Sequence, residues 1–349
     1  MNQEEKIKLF KDVFAPKTGE KILFLVDIPH DDKKDNEKWK ERRFMAKEWY
    51  KTFKELGEKE GFNVDYKEYP ATGLHNSAIP KNFMDLGCKS NLVIAMTEFS
   101  ASFPLFEIAK RSSITRCTSM PFAERRMEKS AFIADYSVVQ KHAAILENIL
   151  NNAIAADVTF STGDKLHVDL RNRTANREAG DCSNSGQVIN FPSGEAWKVP
   201  YEAAPDEIDK FGPSKTEGIQ PVSKDGELMK FKIKNNKIIE IIGQGKKADE
   251  MRKFFNENKT RRNIAEFAFG CNPKAEVTGN PVEDEKASGM HIGFAMSTKL
   301  GGKVESDMHE DIIYAKGCPV WARKVVLRNK DGTETEVIKN AVIRQELLK

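Results

Sequence analysis

The sequence predicts an α/β protein in two parts: an N-terminal α/β domain with a mainly parallel sheet over residues 1–155, and a C-terminal, β-rich α+β domain over residues 156–349. Three observations predict it. The 349 residues exceed what one hydrophobic core usually organises. The first half alternates apolar β-type runs with amphipathic helical stretches, the pattern of a parallel sheet covered on both faces. Beyond residue 155 the texture turns to short strands punctuated by Gly, Asn and Pro.

In chain order, Ile22 to Val26 reads as a buried strand, and a helix follows from about Trp39 to Glu60 with Met45, Trp49, Phe53 and Leu56 on its apolar face. Gly61 closes that helix. Further strands are expected at Asn63 to Tyr69, Leu92 to Met96 and Ile114 to Ser119, with a helix starting after Pro104 between the last two. The strongest helical pattern runs from about Tyr136 to Ala153. In the second part, apolar runs at 231–233 and 238–241 flank Asn235-Asn236, a hairpin turn pair, and runs at 323–328 and 335–338 flank a turn at 329–332. One helix, Lys247 to Asn256, interrupts this region, and a shorter one begins near Arg261.

The 56 basic and 53 acidic side chains are interspersed and leave a formal net charge of +3. That is a solubilising surface without the basic stripe and aromatic interleaving of a nucleic-acid partner. Five widely spaced cysteines with no CxxC pair fit reduced thiols in a cytoplasmic protein. The charged N-terminus predicts no signal peptide, and no apolar run reaches membrane-spanning length.

Chemistry concentrates in the last half of the chain. Six groups there have metal-ligand character: Glu195, Glu266, Glu285, His291, His309 and Asp311, the mixed nitrogen and oxygen set that zinc, manganese or cobalt prefers. On an extended strand His309 and Asp311 project from one face, with Glu310 opposite and Asp307 on the same parity. His291 lies among small and apolar residues, either as a ligand or as a core histidine satisfied by a backbone carbonyl. Glu266 is embedded in an apolar run, where an unpaired charge is costly and a metal, an arginine or a proton must compensate it. Glu195 follows a tight-turn signal, and Glu285 belongs to an acidic run of the kind that usually marks a solvated loop. A GxSxG elbow, an HExxH helix and a Walker-type loop are all missing. His30, His75, His142 and His167 read as structural or exposed, and Gly301-Gly302 as a turn.

Taken together, the segments NFPSGEAW, AEFAFGCNP, EDEKASGMHIG and HED, in that order, resemble the thermophilic-type metallo-aminopeptidases, the family of aminopeptidases T and S. The resemblance covers most of residues 160 to 320. It implies an aminopeptidase that releases N-terminal residues from small peptides through water activated by two divalent ions (zinc, cobalt or manganese). It further implies that Glu195, Glu266, Glu285, His291, His309 and Asp311 hold the ions, that Glu266 or Glu195 bridges them or takes the proton, and that the protein is a homodimer. This chain departs from the best-known members in three places. Glu285 stands one position further from its histidine, Thr298 replaces a tyrosine seven positions after that histidine, and the segment between His291 and His309 is shortened. A distant branch sharing the fold, the iron-dependent dihydroxypyridine dioxygenases, keeps the His-x-Asp pair, has histidine at the second-motif glutamate and lacks the first-motif glutamate. That branch sets the alternative of a ring-cleaving iron(II) enzyme, beside a catalytically silent, metal-stabilised protein.

Overall fold

The structure, a computed structural model, describes residues 1–349 and combines one parallel sheet with two antiparallel sheets. The chain divides into two compact units. The first comprises residues 1–140, 178–193 and 273–276, and the second comprises residues 141–177, 194–272 and 277–349.

In the first unit five strands pair in the order 63–70, 21–28, 92–95, 116–119 and 188–190, all parallel. The Lys21–Ile28 strand shows why both faces are covered. Ile22, Phe24 and Val26 enter one buried cluster with Trp49 and Phe53, while Leu23 and Leu25 enter another with Leu105 and Ile108. The Glu37–Glu60 helix buries Met45, Trp49, Phe53 and Leu56, is capped by the Asn36 side chain and ends at Gly61 with φ 82°. The strand expected from Ile114 begins at Arg116, just after Thr115, whose hydroxyl donates to the carbonyls of Gly87 and Ser90.

The second unit carries an eight-stranded antiparallel sheet, in the order 237–242, 227–234, 217–224, 165–169, 153–160, 322–329, 334–339 and 342–343. Asn235 and Asn236 turn its first hairpin with φ of 51° and 63°, the left-handed pair such a two-residue turn needs. A five-stranded sheet completes the unit, in the order 309–313, 289–295, 264–270, 195–198 and 175–178. Its two central strands, Ile264–Gly270 and Gly289–Ala295, are buried along their whole length, so both of their faces are shielded from water. No helix is long and apolar enough to cross a membrane.

Candidate metal centre

The five-stranded sheet supplies the candidate ligands. Glu266 is opposite Gly293, and Gly293 is opposite Asp311, so these three residues form one row across three antiparallel strands. One step along, His291 is opposite Ala268; on the other side, His309 is opposite Ala295. Strand alternation therefore turns Glu266, His291, His309 and Asp311 to a single face. Glu195, at the start of its own strand opposite Gly270, joins from the far side.

The side chains meet in two sets that share one carboxylate, Glu195–Glu266–His291 and Glu266–His309–Asp311. Glu266 Oε1 is 3.5 Å from His291 Nε2, and its Oε2 is 3.1 Å from His309 Nε2. Glu195 Oε2 lies 3.4 Å from His291 Nε2, and Asp311 Oδ1 3.2 Å from His309 Nε2. The set is graded in depth: His291 and Glu266 are almost wholly buried, whereas the side chains of His309 and Asp311 stay 20 % and 19 % exposed. Glu285 joins neither set and ion-pairs with Lys286 at 2.8 Å. Thr298 donates to Glu305, and His30 and His167 pair with Asp31 and Asp157.

Two residues that sequence reasoning passed over complete the arrangement. Gly293 has no room for a side chain, since a Cβ there would sit 2.7 Å from Asp311 Oδ1 and from His309 Nε2. Lys286 is fully buried, with Nζ 2.6 Å from Glu195 Oε1. The Glu283–Lys286 run reads as a solvated loop, yet Glu283, Asp284 and Lys286 are all buried, with Asp284 accepting from the backbone N–H groups of Thr278 and Gly279. The signal available was Gly270, where a Cβ would come within 2.4 Å of the Glu285 carbonyl, a close approach that only glycine allows.

The electrostatics are those of an acidic cluster that wants positive charge. Burial opposes a charged His291, but the Glu266 hydrogen bond and the charges of Asp311, Glu266 and Glu195 outweigh it and raise the imidazole to about 9. Burial likewise opposes protonation of His309, which Asp311 and Glu266 nevertheless push well above its ordinary value. Burial would raise the Glu266 carboxyl, but hydrogen bonds from both histidines hold it well below its usual range. Glu285 moves the other way, to about 8, because burial and the charges of Glu195 and Asp311 prevail over Lys286.

The donor set fits divalent ions on two counts. The Nδ1 of His309 lies 2.7 Å from the Met296 carbonyl, which can only accept, so Nδ1 carries hydrogen and a neutral ring would turn the Nε2 lone pair toward two carboxylates. A metal ion, or in its absence a second ring proton, resolves that conflict. In addition, Glu195 Oε2 is buried without a hydrogen-bond partner, which is costly unless something positive or polar meets it. A cavity of about 480 Å³ touches Asp311 and Ile313 but is also lined by Phe294, Glu310 and Ile312, strand residues of the opposite parity, and includes none of Glu195, Glu266, His291 and His309.

With the geometry in hand, comparison with known proteins gives a likeness of fold. No protein-family model and no curated protein matches the chain. Among solved structures it is similar to 2,5-dihydroxypyridine dioxygenase from Pseudomonas putida KT2440, with a TM-score of 0.70 and 16 % identity over all of both chains. It is also similar to wild-type AmpT from Thermus thermophilus, with a TM-score of 0.63 and 17 % identity over 98 % of each chain. Both are matched over essentially their full lengths.

Proposed function

We propose that the chain is a metal-dependent aminopeptidase that removes N-terminal residues from small peptides using two divalent ions, zinc, cobalt or manganese. The observation that carries this reading is Glu266, whose two oxygens serve different histidines, 3.5 Å from His291 and 3.1 Å from His309. A carboxylate shared between two donor sets is the arrangement expected of a bridging ligand. When bound, such ions polarise a carbonyl and bring the pKa of water near neutrality.

The chain's own residues do the rest. Glu266 would bridge the ions. Glu195, His291, His309 and Asp311 would complete the two sets, with Glu285 adding negative charge beside them. Glu195, through the oxygen that an ion leaves unoccupied, would take the proton of the attacking water and pass it to the leaving amine. The surplus of carboxylates suits the free ammonium of a peptide N-terminus, which enters from the partly exposed side formed by His309 and Asp311. The same reading takes the protein to be a cytoplasmic homodimer without nucleic-acid or membrane partners.

Replacing Glu266 with Gln keeps the shape and one hydrogen-bonding oxygen but removes the bridge. Hydrolysis of a panel of aminoacyl anilides by metal-loaded protein should be lost while the circular dichroism spectrum is retained; undiminished hydrolysis by the variant refutes the assignment. A second reading, a ring-cleaving iron(II) dioxygenase, is favoured by the full-length fold likeness at TM-score 0.70. Mononuclear iron chemistry of that kind draws on two histidines and one carboxylate, a set that His291, His309 and Glu266 alone could supply, whereas the additional carboxylates of Glu195 and Asp311 favour a bridged pair of ions. Oxygen consumption with a hydroxylated pyridine, dependent on ferrous iron alone, would establish that second reading.

A further inference from the structure

Lys286 brings a positive charge into the centre before any metal does. Its Nζ is 2.6 Å from Glu195 Oε1 and 2.8 Å from Glu285 Oε1, and its side chain is fully buried. The backbone there leaves it little freedom. The Lys286 N–H donates to the Glu283 carbonyl, its own carbonyl accepts from Asn272, and the Glu285–Ala287 backbone is pressed against Gly270 with no space for a Cβ between them. Full burial and the two ion pairs hold the ammonium beside Glu195, where a second cation meets its like charge. By contrast, the carboxylates of the Glu266–His309–Asp311 set have only histidines as partners, and that set is the more accessible of the two.

We propose that Lys286 makes the two cation positions unequal. The Glu266–His309–Asp311 position takes a divalent ion first and tightly. The Glu195–Glu266–His291 position binds second and weakly, because Glu195 comes to it already paired with an ammonium whose like charge repels the incoming ion. The inference rests on the two-ion reading above and goes beyond it, by assigning an order of binding and a residue that sets it. Lys286 is a positioning residue here, acting on the metal through Glu195. Charge-assisted hydrogen bonds of this kind correspond to roughly a ten- to hundredfold difference in affinity.

The test is a titration of metal-free protein with zinc, followed by calorimetry and by metal analysis after dialysis. Wild-type protein should retain one ion per chain through dialysis and take a second only in excess, roughly ten- to hundredfold more weakly. Lys286→Met and Lys286→Gln should close that gap by strengthening the second event. Two ions of equal affinity in wild-type protein overturn the inference while leaving the two-ion reading standing, as does an unchanged gap in the variants. A single ion at every zinc concentration, in wild type and variants alike, removes the two-ion reading and this inference with it. The wild-type titration decides even where a variant fails to fold.

Discussion

Gly293→Ala is the smallest change that should disable the centre. Gly293 occupies the middle of the row between Glu266 and Asp311, and the added methyl would lie 2.7 Å from Asp311 Oδ1, His309 Cε1 and His309 Nε2. Ordinary carbon contacts begin near 3.5 Å, so the ring and the carboxylate must each retreat by roughly half an ångström or more. His309 resists, because its Nδ1 is tied to the Met296 carbonyl and its strand is paired through five residues with the Gly289–Ala295 strand. The cost to stability should be about 1–3 kcal/mol, the usual range for overpacking. The cost to function should be larger, since misplacement of about 1 Å at a reacting centre loses roughly a hundredfold in rate. Thermal unfolding, zinc affinity and aminoacyl anilide hydrolysis measured on the same preparation separate the two effects. A Gly293→Ala protein that binds zinc and turns over like wild type would show that His309 and Asp311 do not work from the positions described here.

Three further outcomes are expected. In metal-free protein His291 is raised from 6.5 to about 9 and Glu285 from 4.5 to about 8, so both contribute stability that is fully present below their unfolded values and is lost as pH rises through the folded ones. Melting temperature without metal should therefore fall between about pH 4.5 and pH 9, through Glu285 first and His291 after it, and zinc, by replacing the protons, should flatten that profile; a flat metal-free profile counts against the clustered charges. Adding zinc at about a hundred times its dissociation constant should stabilise the fold by about 2.7 kcal/mol, read as a rise in melting temperature that a chelator reverses, and the absence of any rise counts against specific binding. Asn236→Gly keeps the turn conformation but deletes hydrogen bonds from the buried Asn236 Nδ2 to Asn263 Oδ1 and the Ile264 carbonyl, beside the strand that bears Glu266. It should cost about 1–3 kcal/mol in chemical denaturation, and a neutral result would mean that the turn does not brace that strand.

Much of the fold was legible because its signals are local. The Trp39–Glu60 periodicity and Gly61, the apolar runs of the parallel sheet and the Asn-Asn turn each depend on a few neighbouring residues, and the structure forms a helix, strands and a hairpin there. The Val188–Asn190 strand was not legible, since three residues show no periodicity and its place is set by long-range pairing with the Arg116–Ser119 strand. The return of residues 178–193 to the first unit escaped for a related reason, being decided by long-range contacts.

The centre divides in the same way. Alternation alone puts His309 and Asp311 on one face, whereas nothing local brings Glu195, ninety-six residues before His291, to within 3.4 Å of it; that expectation rested on the ordered family motifs. Lys286 was hidden by its company, because four consecutive charges look solvated unless the backbone burial of that turn is known. Gly293 was hidden by its lack of a side chain, although the space it leaves is what allows His309 and Asp311 to approach Glu266.

The account stands on two cation positions sharing Glu266, and an anomalous difference map from crystals grown in saturating zinc tests that most directly. Two peaks flanking the Glu266 carboxylate are predicted, one beside His309 and Asp311 and one beside His291 and Glu195. A single peak ligated by His309 and Asp311 alone, or zinc bound only elsewhere on the protein, would contradict it.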